Sequence, residues 1–431
     1  NVQDVAENSL MNCLKQHGAD HGCLVLMEIK TGEVKAIANL TRNNKDTAMY
    51  VENLNYAVGV ATVPGSTFKL PSLVAAMEDF NLSLNEVVDI GNGTCFYSNV
   101  PVRDSHHPKK DKLTVQEVFE ESSNVGVTKI ISRYYTKDKS WSKISLPWIS
   151  YGYESRITPL QILNFYSAIA NDGKMMRPMF IKEIRKRGKT IKTFSPEIIN
   201  PSICSKSTVA KAKKMMEGVV LNGTAKSLKA ADYQIAGKTG TAQMGLVKGK
   251  MTYQASFVGY FPADNPKYSC IVVISAPTGD SYYGGAVAGP VFKDVADKVY
   301  STSLEIHKEI NAIQPQFAMK APETMHGSQE ELETVLKALK IPMKTKNTTA
   351  EWVSSSTVDS ISVNLTASTT EMTLKQGIVP NLTGMTARDV MYLLENNGMR
   401  VRLLGSGAVA KQSLVAGTQF KRGTEIVLQL I

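Results

Sequence analysis

The stretch Val63-Pro64-Gly65-Ser66-Thr67-Phe68-Lys69 decides how the rest of the chain is read. The Pro-Gly pair ends whatever precedes it, and Gly65 can take backbone angles that other residues avoid. Ser66 is then a natural first residue of a helix, where free backbone N–H groups cluster. Leu73, Val74, Ala75, Ala76 and Met77 continue it as a helix buried on most sides. Residues i and i+3 share a helix face, so the spacing predicts that Lys69 reaches back over Ser66. A hydroxyl, an amine able to take its proton and backbone donors for an oxyanion would then meet in one place. Those are the parts of acyl transfer through a covalent serine. The pair alone is a weak signal. Ser140-Trp141-Ser142-Lys143 repeats the spacing, and a helix cap with an exposed lysine accounts for any single copy.

Working outward, Asn1 to Lys15 reads as an amphipathic helix with Val2, Val5, Ala6, Leu10 and Leu14 on one side. It looks like the middle of a domain, so a preceding segment is expected. Cys23 to Ile29 and Val34 to Leu40 form a hairpin about Lys30-Thr31-Gly32-Glu33. Residues 81–111 are rich in turn formers. Thr114 with Glu117, and Thr158-Pro159 with Gln161, open helices as capping boxes. Met179 to Phe194 reads as a hairpin around Arg187-Gly188, and Lys206 to Val220 as a helix. Three strands follow, from Ile235, Ala255 and Tyr268, then a last helix from Val291 to about Leu304, introduced by Gly284-Gly285 and Gly289-Pro290. The simplest assembly is mixed α/β (α+β): one antiparallel sheet built from both ends of the domain, with helices on its faces.

Composition narrows the class. The chain has 431 residues, 43% hydrophobic and 20% charged, which suits two or three ordinary globular domains. No apolar run approaches the ~20 residues that span a bilayer. The net charge of +10 favours anionic polymers or membrane surfaces, but no nucleic-acid recognition motif is present. The five cysteines (Cys13, Cys23, Cys95, Cys204, Cys270) are scattered and read as buried free thiols. Neither they nor the histidines give metal-ligand spacing, and His106-His107 reads as a solvated loop pair. No metal or cofactor is expected.

Two further motifs lie downstream of Ser66-x-x-Lys69, in order: Ser122-Ser123-Asn124 and Lys238-Thr239-Gly240. Context rejects their decoys. Lys30-Thr31-Gly32 is a hairpin turn, and Ser83-Leu84-Asn85 follows directly on the Ser66 helix rather than joining two helices. The ordered set resembles the penicillin-binding protein and serine β-lactamase superfamily. Longer stretches sharpen this to class B penicillin-binding proteins: Val63 to Lys69, Glu121 to Gly126, Gly152-Tyr153 with Thr158 to Gln161, Ala236 to Gln243, and Ala255 to Gly259. Residues 1–305 resemble that transpeptidase domain. Residues 306–327 read as a linker and 328–370 as a degenerate PASTA-like module without the opening Val-Pro and Gly marks. Residues 371–431 resemble a PASTA domain, through Val379-Pro380, Gly384-Met385, Gly398 and Gly417. One departure stands out: the family's longer insert between Asn124 and Gly152 is short here, and a missing loop near Tyr135 is expected.

The resemblance implies a D,D-transpeptidase that cross-links peptidoglycan stem peptides and is acylated by β-lactams. Ser66 would be the nucleophile, Lys69 its base, Ser122 the proton relay and Lys238 a second cation. Asn124, Thr239, Gly240 and Thr241 would hold the donor peptide, and the backbone N–H groups of Ser66 and Thr241 the oxyanion. It also implies a place on the outer face of the cytoplasmic membrane with a single N-terminal anchor, a glycosyltransferase and division-complex proteins as partners, and a septal or sporulation role. A β-lactamase would need a water-activating base that the sequence does not place. A D,D-carboxypeptidase, or a β-lactam or muropeptide sensor, uses the same residues.

Overall fold

The computed structural model describes residues 1–43, 46, 49–136, 138–230, 232–247, 249–279, 281–303, 327–345, 350–359 and 362–431. It divides into two compact units, Asn1–Lys308 and Glu309–Ile431. Of the linker read at 306–327, residues 306–326 lie outside the described residues.

In the first unit, helix α1 (Val2–Gln16) precedes strands β1 (His21–Glu28), β2 (Val34–Arg42) and β3 (Tyr50–Glu52). The middle is helical: α2 (Lys69–Phe80), α3 (Val115–Glu120), α4 (Asn124–Tyr134), α5 (Pro159–Ala170) and α6 (Lys206–Leu221). Strands β4 (Ala236–Val247), β5 (Lys250–Phe261) and β6 (Tyr268–Ser275) follow, then helix α7 (Gly284–Thr302). The six strands form one antiparallel sheet in the order β4-β5-β6-β1-β2-β3. Both ends of the unit thus meet at the β1–β6 pair, His21↔Ser275 through Glu28↔Tyr268.

Burial explains why β1 and β6 read as continuous apolar runs: every interior residue of each is buried, because helices cover both faces. Helices α1 and α7 pack together and α7 lies on β5, with Phe292 edge-on to Phe257 at 4.8 Å. Successive strand side chains alternate faces, so Val258 and Tyr260 point the other way, on the side where α5 packs against β5 and β6. The capping boxes at Thr114–Glu117 and Thr158–Gln161 have both reciprocal bonds in place.

Four local readings are corrected. The α-helix expected from Ser66 begins at Lys69, and Ser66 sits in a 3-10 turn, Gly65–Phe68. That turn is held from outside. Gly65 N–H donates to the Gly152 carbonyl at 3.1 Å, and Thr67 Oγ1 donates to the Pro64 carbonyl at 2.8 Å. Gly152 must be glycine: its φ is +92°, and a Cβ there would lie 2.0 Å from the Gly65 carbonyl oxygen. The last helix starts at Gly284 rather than Val291, with Pro290 inside it. Gly284 can open the helix hard against the sheet, since a Cβ would lie 2.4 Å from the Gly240 carbonyl oxygen. Pro290 leaves the Ala286 carbonyl without its helical donor, on an exposed face. Within 81–111 two small antiparallel pairs form, Val87–Asp89 with Lys112–Thr114 and Thr94–Tyr97 with Val100–Arg103. Short helices at Tyr56–Gly59 and Ser145–Ser150 were not read at all.

The second unit holds two small sheets with the same order. Helix Gln329–Ala338, strand Met343–Thr345 and hairpin Trp352–Asp359/Ser362–Ala367 come first. Helix Ala387–Asn396, strand Arg400–Leu404 and strands Val409–Gln412 and Glu425–Leu430 come second. In each, the last strand lies between two others, parallel to one and antiparallel to the other, and in the first sheet Gly327–Ser328 adds a fourth strand beside Trp352–Val353. Trp352 packs in the same hydrophobic cluster as Leu374, Val379, Leu393 and Leu428, so that cluster crosses the 370/371 boundary read from the sequence.

Pro71 has no N–H for the Thr67 carbonyl four residues back, and the buried Tyr166 hydroxyl donates to that carbonyl at 2.8 Å. Tyr166→Phe removes the donor and should cost about 1–3 kcal/mol, read as a lower urea midpoint at unchanged m-value; an unchanged midpoint would show that the carbonyl finds another donor.

Candidate active site

Three distant parts of the chain converge on the Ser122 hydroxyl. Lys69, on the first turn of α2, donates from Nζ to Ser122 Oγ at 3.1 Å and to the Ser122 carbonyl at 2.6 Å. Lys238, on the edge strand β4, donates to Ser122 Oγ at 2.8 Å and to the Thr239 carbonyl at 3.0 Å. Ser122 lies in the turn between α3 and α4 with φ of +59°, a conformation that residues bearing a Cβ seldom adopt. The turn is pinned by its neighbours. Ser123, not Ser122, caps α4, accepting from Gly126 N–H at 2.8 Å and donating to Asp104 Oδ2 at 2.8 Å. Asp104 Oδ1 accepts from Val125 N–H at 2.9 Å.

Both amines are fully buried. Burial pushes Lys69 down to about 7, with the Asp104 carboxylate pulling the other way. Burial, and then the nearby Lys69 charge, hold Lys238 well below the ordinary lysine range. Among the described residues no carboxylate is within ion-pair distance of either. Lys238 instead rests 5.6 Å from the centre of the Phe119 ring. Two ammonium groups sharing one acceptor in a dry site repel, so at neutral pH the pair holds less than two protons and titrates as a unit.

Ser66, half-buried, lies on the wall of a cleft of about 690 Å³ that also exposes Ser122, Asn124, Thr239 and Thr241. The backbone of β4 is aimed at this cleft. Gln243 N–H leaves the sheet edge to donate to the Tyr153 hydroxyl at 3.0 Å. Register is unbroken from Ala236 to Gln243, and alternate residues of a strand present their N–H groups to the same edge. Thr241 N–H therefore points the same way, beside the Ser66 turn: a Cβ on Gly65 would lie 3.3 Å from the Thr241 carbonyl oxygen. Thr241 Oγ1 accepts from Gly284 N–H at 3.2 Å, and Asn124 Nδ2 donates to the Arg103 carbonyl at 2.8 Å. Gly240 is backing rather than lining; a Cβ there would lie 2.3 Å from Ser256 Oγ.

The decoy motifs stay apart from this place. Ser140 is exposed and its hydroxyl donates to Asp138, and Gly32 bends the β1–β2 turn with φ of +74°. Other residues were missed. His106, read as solvated, lies on the cleft wall with its ring 5.1 Å from Tyr283. Tyr153, Tyr253, Tyr282 and Tyr283 line the cleft too, and Tyr253 stacks on Tyr282 at 4.0 Å. Tyr153 stood in the Gly152-Tyr153 stretch already singled out, though not as a site residue; no spacing rule joins Tyr253, Tyr282 and Tyr283 to the motifs, and the tyrosine pair just before Gly284-Gly285 was their one visible signal.

Comparison with known proteins agrees with this geometry. The penicillin binding protein transpeptidase domain model matches residues 22–139 and 134–297, two segments that overlap at 134–139. The PASTA domain model matches residues 377–430. The peptidoglycan D,D-transpeptidase FtsI of Escherichia coli is 30% identical over 70% of this chain and 55% of its own length. The stage V sporulation protein D of Bacillus subtilis is 26% identical over 100% of this chain and 64% of its own. The transpeptidase domain of Burkholderia pseudomallei penicillin-binding protein 3 superposes with a TM-score of 0.59 at 25% identity, over 72% of this chain and 96% of that one. The chain spans about half the length of the first curated relatives it matches. Because the transpeptidase match runs through well over half of its residues, the chain belongs to the penicillin-binding protein transpeptidase family, with a PASTA domain behind it.

Proposed function

We propose that the chain is a serine D,D-transpeptidase that cross-links peptidoglycan stem peptides. The observation that carries the reading is a single hydroxyl, Ser122 Oγ, hydrogen-bonded to two buried amines beside the cleft that exposes Ser66. Lys69 in its neutral form takes the Ser66 proton as Ser66 Oγ attacks the carbonyl between the two terminal D-alanines. The N–H groups of Ser66 and Thr241 receive the oxyanion. The proton on Lys69 passes to Ser122 Oγ, whose own proton goes to the leaving D-alanine nitrogen as the peptide bond breaks. Lys238, Thr239 and Thr241 hold the donor's terminal carboxylate, and Asn124 its amide side. A carboxylate there favours the charged form of Lys238. The amine of a neighbouring stem then attacks the ester, forming the cross-link and freeing Ser66.

A β-lactam enters the same way and stays, because its leaving group remains tethered. Since stem peptides are joined outside the cytoplasmic membrane, the domain works on its outer face, alongside a glycosyltransferase that supplies glycan strands and within a division or sporulation complex. The FtsI and sporulation relatives support that setting. A D,D-carboxypeptidase differs only in using water as acceptor.

Benzylpenicillin should add one mass equivalent, mapped to the Ser66 peptide and stable for hours; label on another peptide, or labelling retained in Ser66→Ala, would defeat the assignment, and rapid turnover would make the protein a β-lactamase. The acylation rate should rise with pH through about 7, because Lys69 works in its neutral form and burial holds it there. A profile still climbing towards the ~10.4 of free lysine would exclude Lys69 as the base.

A further inference from the structure

A second threonine hydroxyl stands behind Thr239. Thr224 lies three residues after helix α6, on the wall of the same cleft, and its Oγ1 is 2.7 Å from Thr239 Oγ1. Its backbone is fixed from both sides of the site. Thr224 N–H donates to the carbonyl of Glu120, two residues before Ser122, at 3.2 Å. A Cβ on Gly285, at the start of α7, would lie 2.7 Å from the Thr224 carbonyl oxygen and 3.3 Å from Thr239 Cγ2. Thr224 thus joins the turn that carries Ser122 to the strand that carries Lys238.

A hydroxyl has one proton to give and two lone pairs to receive with. Thr239 Oγ1 already accepts from Lys238 Nζ at 3.4 Å. If Thr239 also donated to Thr224, it would offer an incoming carboxylate no proton, only oxygen lone pairs. If Thr224 donates to Thr239, the Thr239 proton is free to point into the cleft. An anion selects the second arrangement, and each bond in the chain Lys238/Thr224→Thr239→carboxylate polarises the next.

We propose that Thr224 is a positioning residue for the donor's terminal carboxylate: it donates to Thr239 Oγ1 and so turns the Thr239 hydroxyl towards the anion. This rests on the transpeptidase reading, in which Thr239 meets that carboxylate.

The test compares a D-alanyl thioester donor ending in a carboxylate with its neutral carboxamide, measuring kcat/KM for acylation of Ser66. Thr224→Val keeps the shape and removes the donor. It should lower kcat/KM up to about tenfold for the carboxylate donor, the upper end expected for losing one hydroxyl–hydroxyl bond that orients the Thr239 donor, and less than twofold for the carboxamide. Thr224→Ser should stay within about twofold of wild type for both. Thr224→Ala carries the same expectation should the valine variant fail to fold. Equal slowing of both donors, or no slowing of either, would overturn the assignment while leaving the transpeptidase reading intact. Absence of Ser66 acylation in the unsubstituted protein would defeat both.

Discussion

The arrangement of this domain follows from the difficulty of keeping two amines in a dry pocket around one hydroxyl. Removing an ammonium from water costs several kcal/mol unless a partner compensates. Among the described residues neither amine has a carboxylate in ion-pair contact. The compensation is made of neutral groups: the Ser122 carbonyl for Lys69, the Thr239 carbonyl and the Phe119 ring for Lys238, and Ser122 Oγ for both. Such groups only partly replace water around a charged amine, so burial lowers the affinity of each for a proton. The left-handed backbone at Ser122 belongs to the same arrangement. It turns both the carbonyl and the hydroxyl of one residue towards Lys69, a combination that an extended or helical residue would not present from this turn.

Register is the second requirement. Lys238 sits on an edge strand, and slipping β4 by one residue against β5 would move every side chain to the opposite face. The pairing from Ala236↔Tyr260 to Gln243↔Tyr253 is uninterrupted, and irregularity begins only beyond Gln243, past the residues that face the cleft. β5 is in turn held on both sides, by β4 and β6, with its Phe257 and Phe261 packed on Phe292. The buried core thus sets the position of an amine at the sheet's edge to within hydrogen-bond tolerance.

How much of this was visible in the residues depended on range. Local chemistry read well. Thr114 with Glu117 and Thr158 with Gln161 close their capping boxes within four residues, and the apolar runs at Cys23 and Tyr268, read as strands, are strands. The order of the three motifs located Ser66, Lys69, Ser122 and Lys238 before any contact was known. What failed needed partners far along the chain. The 3-10 turn at Ser66 depends on Gly152 and Tyr166. Ser123 caps α4 while its hydroxyl donates to Asp104, 19 residues away, a contact that no local rule shows. Gly284-Gly285 and Gly289-Pro290 look like breakers by local rules. Yet a glycine is what lets α7 begin against Gly240, and Pro290 falls on the exposed side, where a lost helical bond matters least.

Asp104 shows how near this pocket comes to a different chemistry. A carboxylate brought against Lys69 would form an ion pair, raise its pKa and unfit it for the role of base proposed above. Asp104 is close enough for its charge to work against the depression of Lys69, but both of its oxygens are engaged at the start of α4, one by the Ser123 hydroxyl and one by Val125 N–H. Its charge therefore complements the positive end of that helix, and the amine keeps only uncharged acceptors. Satisfying the start of a helix and leaving a buried lysine without a carboxylate partner are, at this position, the same placement of one side chain.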